Sequence, residues 1–224
     1  MLSFYVHIPY CVRRCGYCDF NTYTPSELQD GATLEIVSGD YIDAVLKELE
    51  AAPKDVVPTI FFGGGTPSLL PPKDLGRVIA AIKARNGITD DCEITLEANP
   101  EDLNPTYLSD LKTLGINRLS IGIQSFQEEN LSFLNRNHSS AQALTCISHA
   151  QDIGIDNISI DLIYGIPGNE LKDLTSDINM AVDTKINHIS AYSLTIEPKT
   201  VFGQQKKKGV FKELPESIQS QKFS

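Results

Sequence analysis

Three cysteines in eight residues, Cys11, Cys15 and Cys18, form the C-x3-C-x2-C run of YVHIPYCVRRCGYCDF. Thiols so clustered suit metal or redox chemistry better than a disulfide framework, which would use an even number of cysteines; this chain has five. Zinc is one candidate, but structural zinc sites are closed by four ligands in paired short spacings. Here a fourth ligand would have to be His7 or something distant. A 4Fe–4S cluster takes thiolates on its irons and suits the run better, because three thiolates leave one iron open to an exogenous chelator. Phe20, two residues past Cys18, cannot ligate. Cys92 and Cys146 stand alone and read as small buried hydrophobes.

Other chemistry-bearing residues recur at equivalent places. Gly63-Gly64-Gly65-Thr66-Pro67 has neither the lysine of a P-loop nor G-x-G-x-x-G spacing. Its glycines let the main chain approach a ligand and offer it N–H and C=O groups, which suits an amino-acid-like ligand. Glu97 in EITLEANP and Asp161 in ISIDLIYG interrupt apolar runs. A carboxylate there is costly unless it is hydrogen-bonded or faces a wet cavity; such carboxylates commonly hold ribose hydroxyls. Gln124 reads equally as a turn residue, and Arg136 as a carboxylate clamp or a solvated helix-end cation. His7, His138, His149 and His188 read as packed or solvent-facing.

The elements that must position these residues alternate. Strand candidates lie at 4–8, 59–63, 93–97, 118–123, 158–163 and 188–194, bounded by Gly, Pro, Asn or Asp. Between them run helical patterns at 40–52, 72–85, 105–114, 127–134, 140–152 and 170–184. The stretch 21–39 lacks clean periodicity and reads as a surface excursion. Alternation of this kind specifies an α/β fold with a parallel sheet. Units recur about every 37 residues against about 31 in an eight-fold barrel, so eight do not fit. The pattern predicts a (βα)6 arrangement, either an open partial barrel or a flat doubly wound sheet, in one domain over 1–224. Pro215 and Glu216 look like the first turn of a sixth crossover helix, which suggests a chain cut within that helix. Each functional residue sits at the C-terminal end of a strand or just beyond, where parallel α/β folds place their sites.

Composition narrows the classes. Lysine and arginine number 19 against 29 acidic residues, a net charge of −10, which argues against a nucleic-acid binder that works by neutralising phosphates. With 41% hydrophobic and 21% charged residues the chain can fill a core. No run is long and apolar enough to span a bilayer. The opening MLSFYVHIPYC is broken by His7 and Pro9 and has no signal-peptide pattern, so the cytoplasm is the default compartment.

Taken in order, YVHIPYC, GGGTPSLL, EANP, RLSIGIQSF, NRNHS and DLIYGIPG resemble the radical S-adenosylmethionine superfamily, in its oxygen-independent coproporphyrinogen III oxidase-like branch. The resemblance runs from about Phe4 to Gly203. It implies a partial (βα)6 barrel of TIM type with a 4Fe–4S cluster on Cys11, Cys15 and Cys18, whose open iron takes S-adenosylmethionine. It also implies that Tyr5, Gly64 and Glu97 contact that nucleotide. Tyr17, Gly65, Thr66, Gln124, Arg136 and Asp161 match residues lining a second S-adenosylmethionine in the oxidases, and Thr195 falls at a further contact. The true oxidases carry a further cysteine where this chain has Phe20, and a longer N-terminal extension. Both departures match the HemW-type haem chaperones of the branch. The resemblance therefore implies haem or porphyrin as ligand and haem proteins as recipients, with oxidative decarboxylation of coproporphyrinogen III as the alternative. A tRNA-modifying radical enzyme is disfavoured by the charge.

Overall fold

The structure, a computed structural model, describes residues 2–28, 33–168 and 171–215. Six strands, β1 (Ser3–Ile8), β2 (Val57–Gly64), β3 (Ile88–Ala98), β4 (Arg118–Gln124), β5 (Asn157–Tyr164) and β6 (His188–Ser193), form one sheet in sequential order. Every neighbouring pair is parallel. The crossovers carry α1 (Leu34–Leu49), α2 (Pro72–Asn86), α3 (Pro105–Thr113), α4 (Glu128–Phe133), α5 (Ser140–Asp152) and α6 (Leu171–Asp183), and α7 (Val201–Lys207) follows β6. Crossovers between parallel strands are right-handed. A sheet that never reverses its strand order therefore puts all its helices on one side, and of the two arrangements left open by the sequence this selects the partial barrel.

Side-chain alternation carries the consequence. Ile94, Leu96, Leu119, Ile121, Ile158 and Ile160 face the helices and are essentially inaccessible, against stripes such as Leu75, Val78, Ile79 and Ile82 of α2. The residues between them face the concave side. Glu97 lies beside Ser120, Ser120 beside Ser159, and Asp161 beside Ser190. The polar interruptions read from the sequence thus share one face, away from the main core.

Local signals account for the helix bounds. Ser139 caps α5 reciprocally with Gln142, and Asn104 caps α3 through the Tyr107 N–H. Helices α3 and α5 stop at Gly115 and Gly154, whose φ angles of 89° and 83° are left-handed. Two expectations need correction. The stretch read as irregular contains the start of α1, which begins at Leu34 rather than near residue 40. A helix unmarked by apolar periodicity, α7, occupies 201–207 because Thr200 caps it through the Gly203 N–H and Phe202 anchors it. Residues from 216 onward, where the further helix was expected, lie outside the described residues.

Candidate active site

The cysteine loop leaves the end of β1 and closes on itself. Cys11 N–H donates to Tyr23 O at 3.0 Å and Tyr23 N–H to Pro9 O at 2.6 Å, so Tyr10 and Tyr23 form a parallel bridge at the loop's neck. Within it, Cys18 N–H donates to Cys15 O at 3.1 Å, and Arg14 donates to Thr22 O. The glycine strip holds the neck from beside it. Gly65 N–H donates to Ile8 O at 2.7 Å and Thr66 N–H to Tyr10 O at 2.8 Å. A Cβ at Gly65 would lie 2.6 Å from the Tyr10 carbonyl oxygen, so no side chain fits without moving backbone. Gly64, at φ 115°, donates its N–H to Glu97 Oε2 at 2.9 Å.

A second, smaller apolar cluster supports the loop from below: Leu134, Ile163, Ile166, Leu194, Ile196 and Phe202. The Phe202 ring lies against Gly16, where a Cβ would come within 2.3 Å of it, and Phe202 N–H donates to Gly16 O at 2.9 Å. Glycine between Cys15 and Tyr17 therefore admits α7. Arg13 ties the loop's other side to the β4–α5 connection, donating to Asn135 O at 2.7 Å and Asn137 Oδ1 at 2.5 Å.

These supports place the three thiols on one cavity of about 390 Å³. Its lining includes Tyr17, Gly64, Gly65, Thr66, Glu97, Gln124, Arg136, Asp161 and Thr195, contributed from every strand end or the loop after it. Tyr5 is the one predicted residue outside the lining. It sits lower on the concave face, more than half exposed, stacked on Phe61 at 5.9 Å and within 3.3 Å of His7 Nδ1. The thiols are all free. Among the described residues no three His, Cys, Asp or Glu side chains converge on a point that would hold a single metal ion. Three separate thiols on one cavity suit a polynuclear cluster, in which each thiolate takes its own iron. The donor environment fits such a group. Thr66 Oγ1 lies 3.5 Å from Cys11 Sγ and Arg136 Nη1 3.4 Å from Cys15 Sγ, while the buried Arg136 Nε has no hydrogen-bond partner. Burial raises the thiol pKa of Cys11 and Cys18, so apart from bound metal these thiols are held protonated.

Arg136 also donates through Nη2 to Asn99 Oδ1 and Gly122 O, both at 2.6 Å. This identifies it as a buried cation clamped at the cavity wall and removes the solvated-surface alternative. Burial raises the pKa of both Glu97 and Asp161, the first partly offset by the Gly64 N–H and the second by Ser190; each carboxylate is poised to gain from a bound hydroxyl donor.

Two contributors escaped the sequence reading. Asn99, within the quoted EANP, couples Arg136 to Thr66, its Nδ2 lying 3.5 Å from Thr66 Oγ1. Asp177, on α6, is buried and remote in sequence. It accepts from Ser125 Oγ at 2.6 Å, Phe126 N–H at 2.9 Å and Gln127 Nε2 at 3.1 Å. These bonds pin the turn in which Gln124 adopts φ 72°, unfavourable for a residue with a side chain. Gln124, at the start of that turn, lines the cavity. Of the histidines, His138 is packed, 3.0 Å from Ile123 O and 3.4 Å from Glu101. Cys92 and Cys146 are buried, apart from the site.

Comparison with known proteins bears on the family and the fold. The chain is 38% identical over 208 residues to the heme chaperone HemW of Escherichia coli, covering 91% of this chain and 53% of that protein. It is 39% identical over 210 residues to the heme chaperone HemW of Bacillus subtilis, covering 93% and 54%. The structure of the E. coli coproporphyrinogen III oxidase HemN, a radical SAM enzyme, superimposes with a TM-score of 0.82 at 27% identity, covering 98% of this chain and 50% of that one. The chain therefore spans about half the length of the relatives it matches. The Radical SAM superfamily profile matches residues 5–181, and the chain belongs to the radical SAM superfamily, whose members are implied to use a 4Fe–4S cluster and S-adenosylmethionine.

Proposed function

We propose that this chain is the cluster-binding and S-adenosylmethionine-binding core of a HemW-type haem chaperone. The carrying observation is the single cavity on which the three thiols, the glycine strip and the Glu97, Asp161 and Arg136 side chains meet. The identities to proteins named heme chaperone HemW, and Phe20 at the place of the oxidases' extra cysteine, favour the chaperone within the branch.

In this reading Cys11, Cys15 and Cys18 hold the cluster, and Thr66 and Arg136 direct hydrogen bonds at two of the sulfurs. The cluster supplies one electron and an open coordination site. The glycine strip offers main-chain carbonyls to the ammonium of S-adenosylmethionine, its Gly64 and Gly65 N–H groups being already bonded to Glu97 and Ile8, while Glu97 and Asp161 accept from ribose hydroxyls. Gln124 and Tyr17 close the wall, and buried Tyr17 stays protonated. Haem or a porphyrin, and haem-protein recipients, belong to the whole chaperone rather than to any residue named here. Tyr5, whose ring flanks Gly63 beside the Glu97 carboxylate, contacts the nucleotide at the edge of the cavity.

The TM-score of 0.82 to HemN favours one alternative, oxidative decarboxylation of coproporphyrinogen III. Anaerobic protein supplied with dithionite, S-adenosylmethionine and coproporphyrinogen III separates the two. The chaperone reading predicts saturable haem binding seen as a Soret shift, with no protoporphyrinogen. Product formation with no haem binding would overturn it.

A further inference from the structure

The connection between α4 and α5, residues 135–139, is gripped on two sides. Arg13 of the cysteine loop donates to Asn135 O and Asn137 Oδ1. The alternate residues turn toward the sheet. Arg136 donates to Gly122 O and to Asn99 Oδ1. His138 repeats the pattern one step away, with Nε2 3.0 Å from Ile123 O and Nδ1 3.4 Å from Glu101 Oε2. Each side chain thus joins a carbonyl at the end of β4 to a side chain of the turn after β3. The cavity explains Arg136, which lines it, but neither His138 nor Glu101 is part of that lining. The His138 side chain is 0% exposed and that of Glu101 25%, so the pair stands where polar groups are costly.

The imidazole faces two acceptors. Either neutral tautomer would turn a lone pair onto one of those oxygens, so the arrangement needs a hydrogen on both ring nitrogens. The Nδ1 contact is too poorly aligned for a hydrogen bond and acts as an ion pair. Glu101 agrees with this: burial pushes its carboxyl up, yet His138 and Arg136 outweigh burial and hold it below its ordinary value. Two cations therefore share one carboxylate, and the first of them holds Nη1 3.4 Å from Cys15 Sγ. We propose that Glu101 and His138 are positioning residues that set the charge Arg136 presents to the Cys15 sulfur, and through it the reduction potential of the cluster. The inference rests on the cluster reading above. Net charge and hydrogen bonds at the sulfurs set such a potential. An electron entering the cluster adds negative charge, which Arg136 favours. Glu101 opposes that preference, and His138 keeps Glu101 from drawing Arg136 off the sulfur.

The test titrates cluster-loaded protein anaerobically with dithionite and mediator dyes, each cluster taking one electron, and follows the visible absorbance. Glu101→Gln keeps the size of the side chain and removes its charge. It is expected to ease reduction, by about fivefold in the one-electron equilibrium constant. His138→Leu is expected to hinder reduction by a similar factor, and the double variant to return toward the parent. A pair that merely propped up the connection would shift both single variants the same way, so opposite signs are the signature. A Glu101→Gln protein with the parent's potential, or a lower one, overturns the proposal. If the melting curve shows that His138→Leu does not fold, the Glu101→Gln result decides alone. A parent that binds no iron overturns the cluster reading and this inference together; a parent with a reducible cluster leaves only the role of the pair at stake.

Discussion

At the residue scale, the site owes its character to polar groups buried where a parallel sheet is normally apolar. Asp102, in the turn after β3, shows the energetic consequence away from the ligand. Burial lifts its pKa from 3.8 to about 6, only partly offset by the Ser68 hydroxyl at 2.6 Å. The folded state holds this proton more tightly than the unfolded chain does. The associated stability is therefore complete below about pH 4 and lost as the pH rises through 6, by at most about 3 kcal/mol. Asp102→Asn, which keeps an acceptor for Ser68, should melt with the parent near pH 4 and above it at pH 7; equal melting temperatures at both pH values would contradict the assignment. Glu97 and Asp161 were legible in the sequence because a carboxylate inside an apolar run demands a reason. Asp177 was not, since a single acid in a polar helix is indistinguishable from a solvated one until its partner turn is seen.

At the element scale, the glycine strip and the α6 clamp position what the strands deliver. Gly65→Ala would press a methyl onto the Tyr10 carbonyl, costing about 2–3 kcal/mol and shifting the neck that holds Cys11; iron retention measured beside the melting temperature should fall with it. Asp177→Ala leaves the Ser125 hydroxyl and the Phe126 N–H without their acceptor in a buried place, at about 1–3 kcal/mol each. It should also weaken S-adenosylmethionine binding about tenfold by releasing Gln124, while iron content holds. Calorimetric binding that is unchanged would show that the turn keeps its shape without the clamp. The strands and most helices could be read from periodicity and caps. Helix α7 could not, because its docking depends on Phe202 meeting a glycine nearly 190 residues earlier, a long-range fit that no local pattern encodes.

At the scale of the whole molecule, sequential strand order places all the helices outside and the chemistry inside. This is why residues scattered from Cys11 to Thr195 reach one cavity of about 390 Å³. The ordered motifs already specified that convergence; the strand order was needed to choose a barrel over a flat sheet. Among the described residues no helix is long and apolar enough to cross a membrane.

The central claim is that Cys11, Cys15 and Cys18 together hold an iron–sulfur cluster with a corner left open. Iron and acid-labile sulfide analysis of anaerobically reconstituted protein tests it most directly, run on the parent and on Cys15→Ser. The account predicts about four of each per parent chain and a loss of most of both in the variant; a parent holding a single zinc and no sulfide, or a variant that retains the full complement, would contradict it.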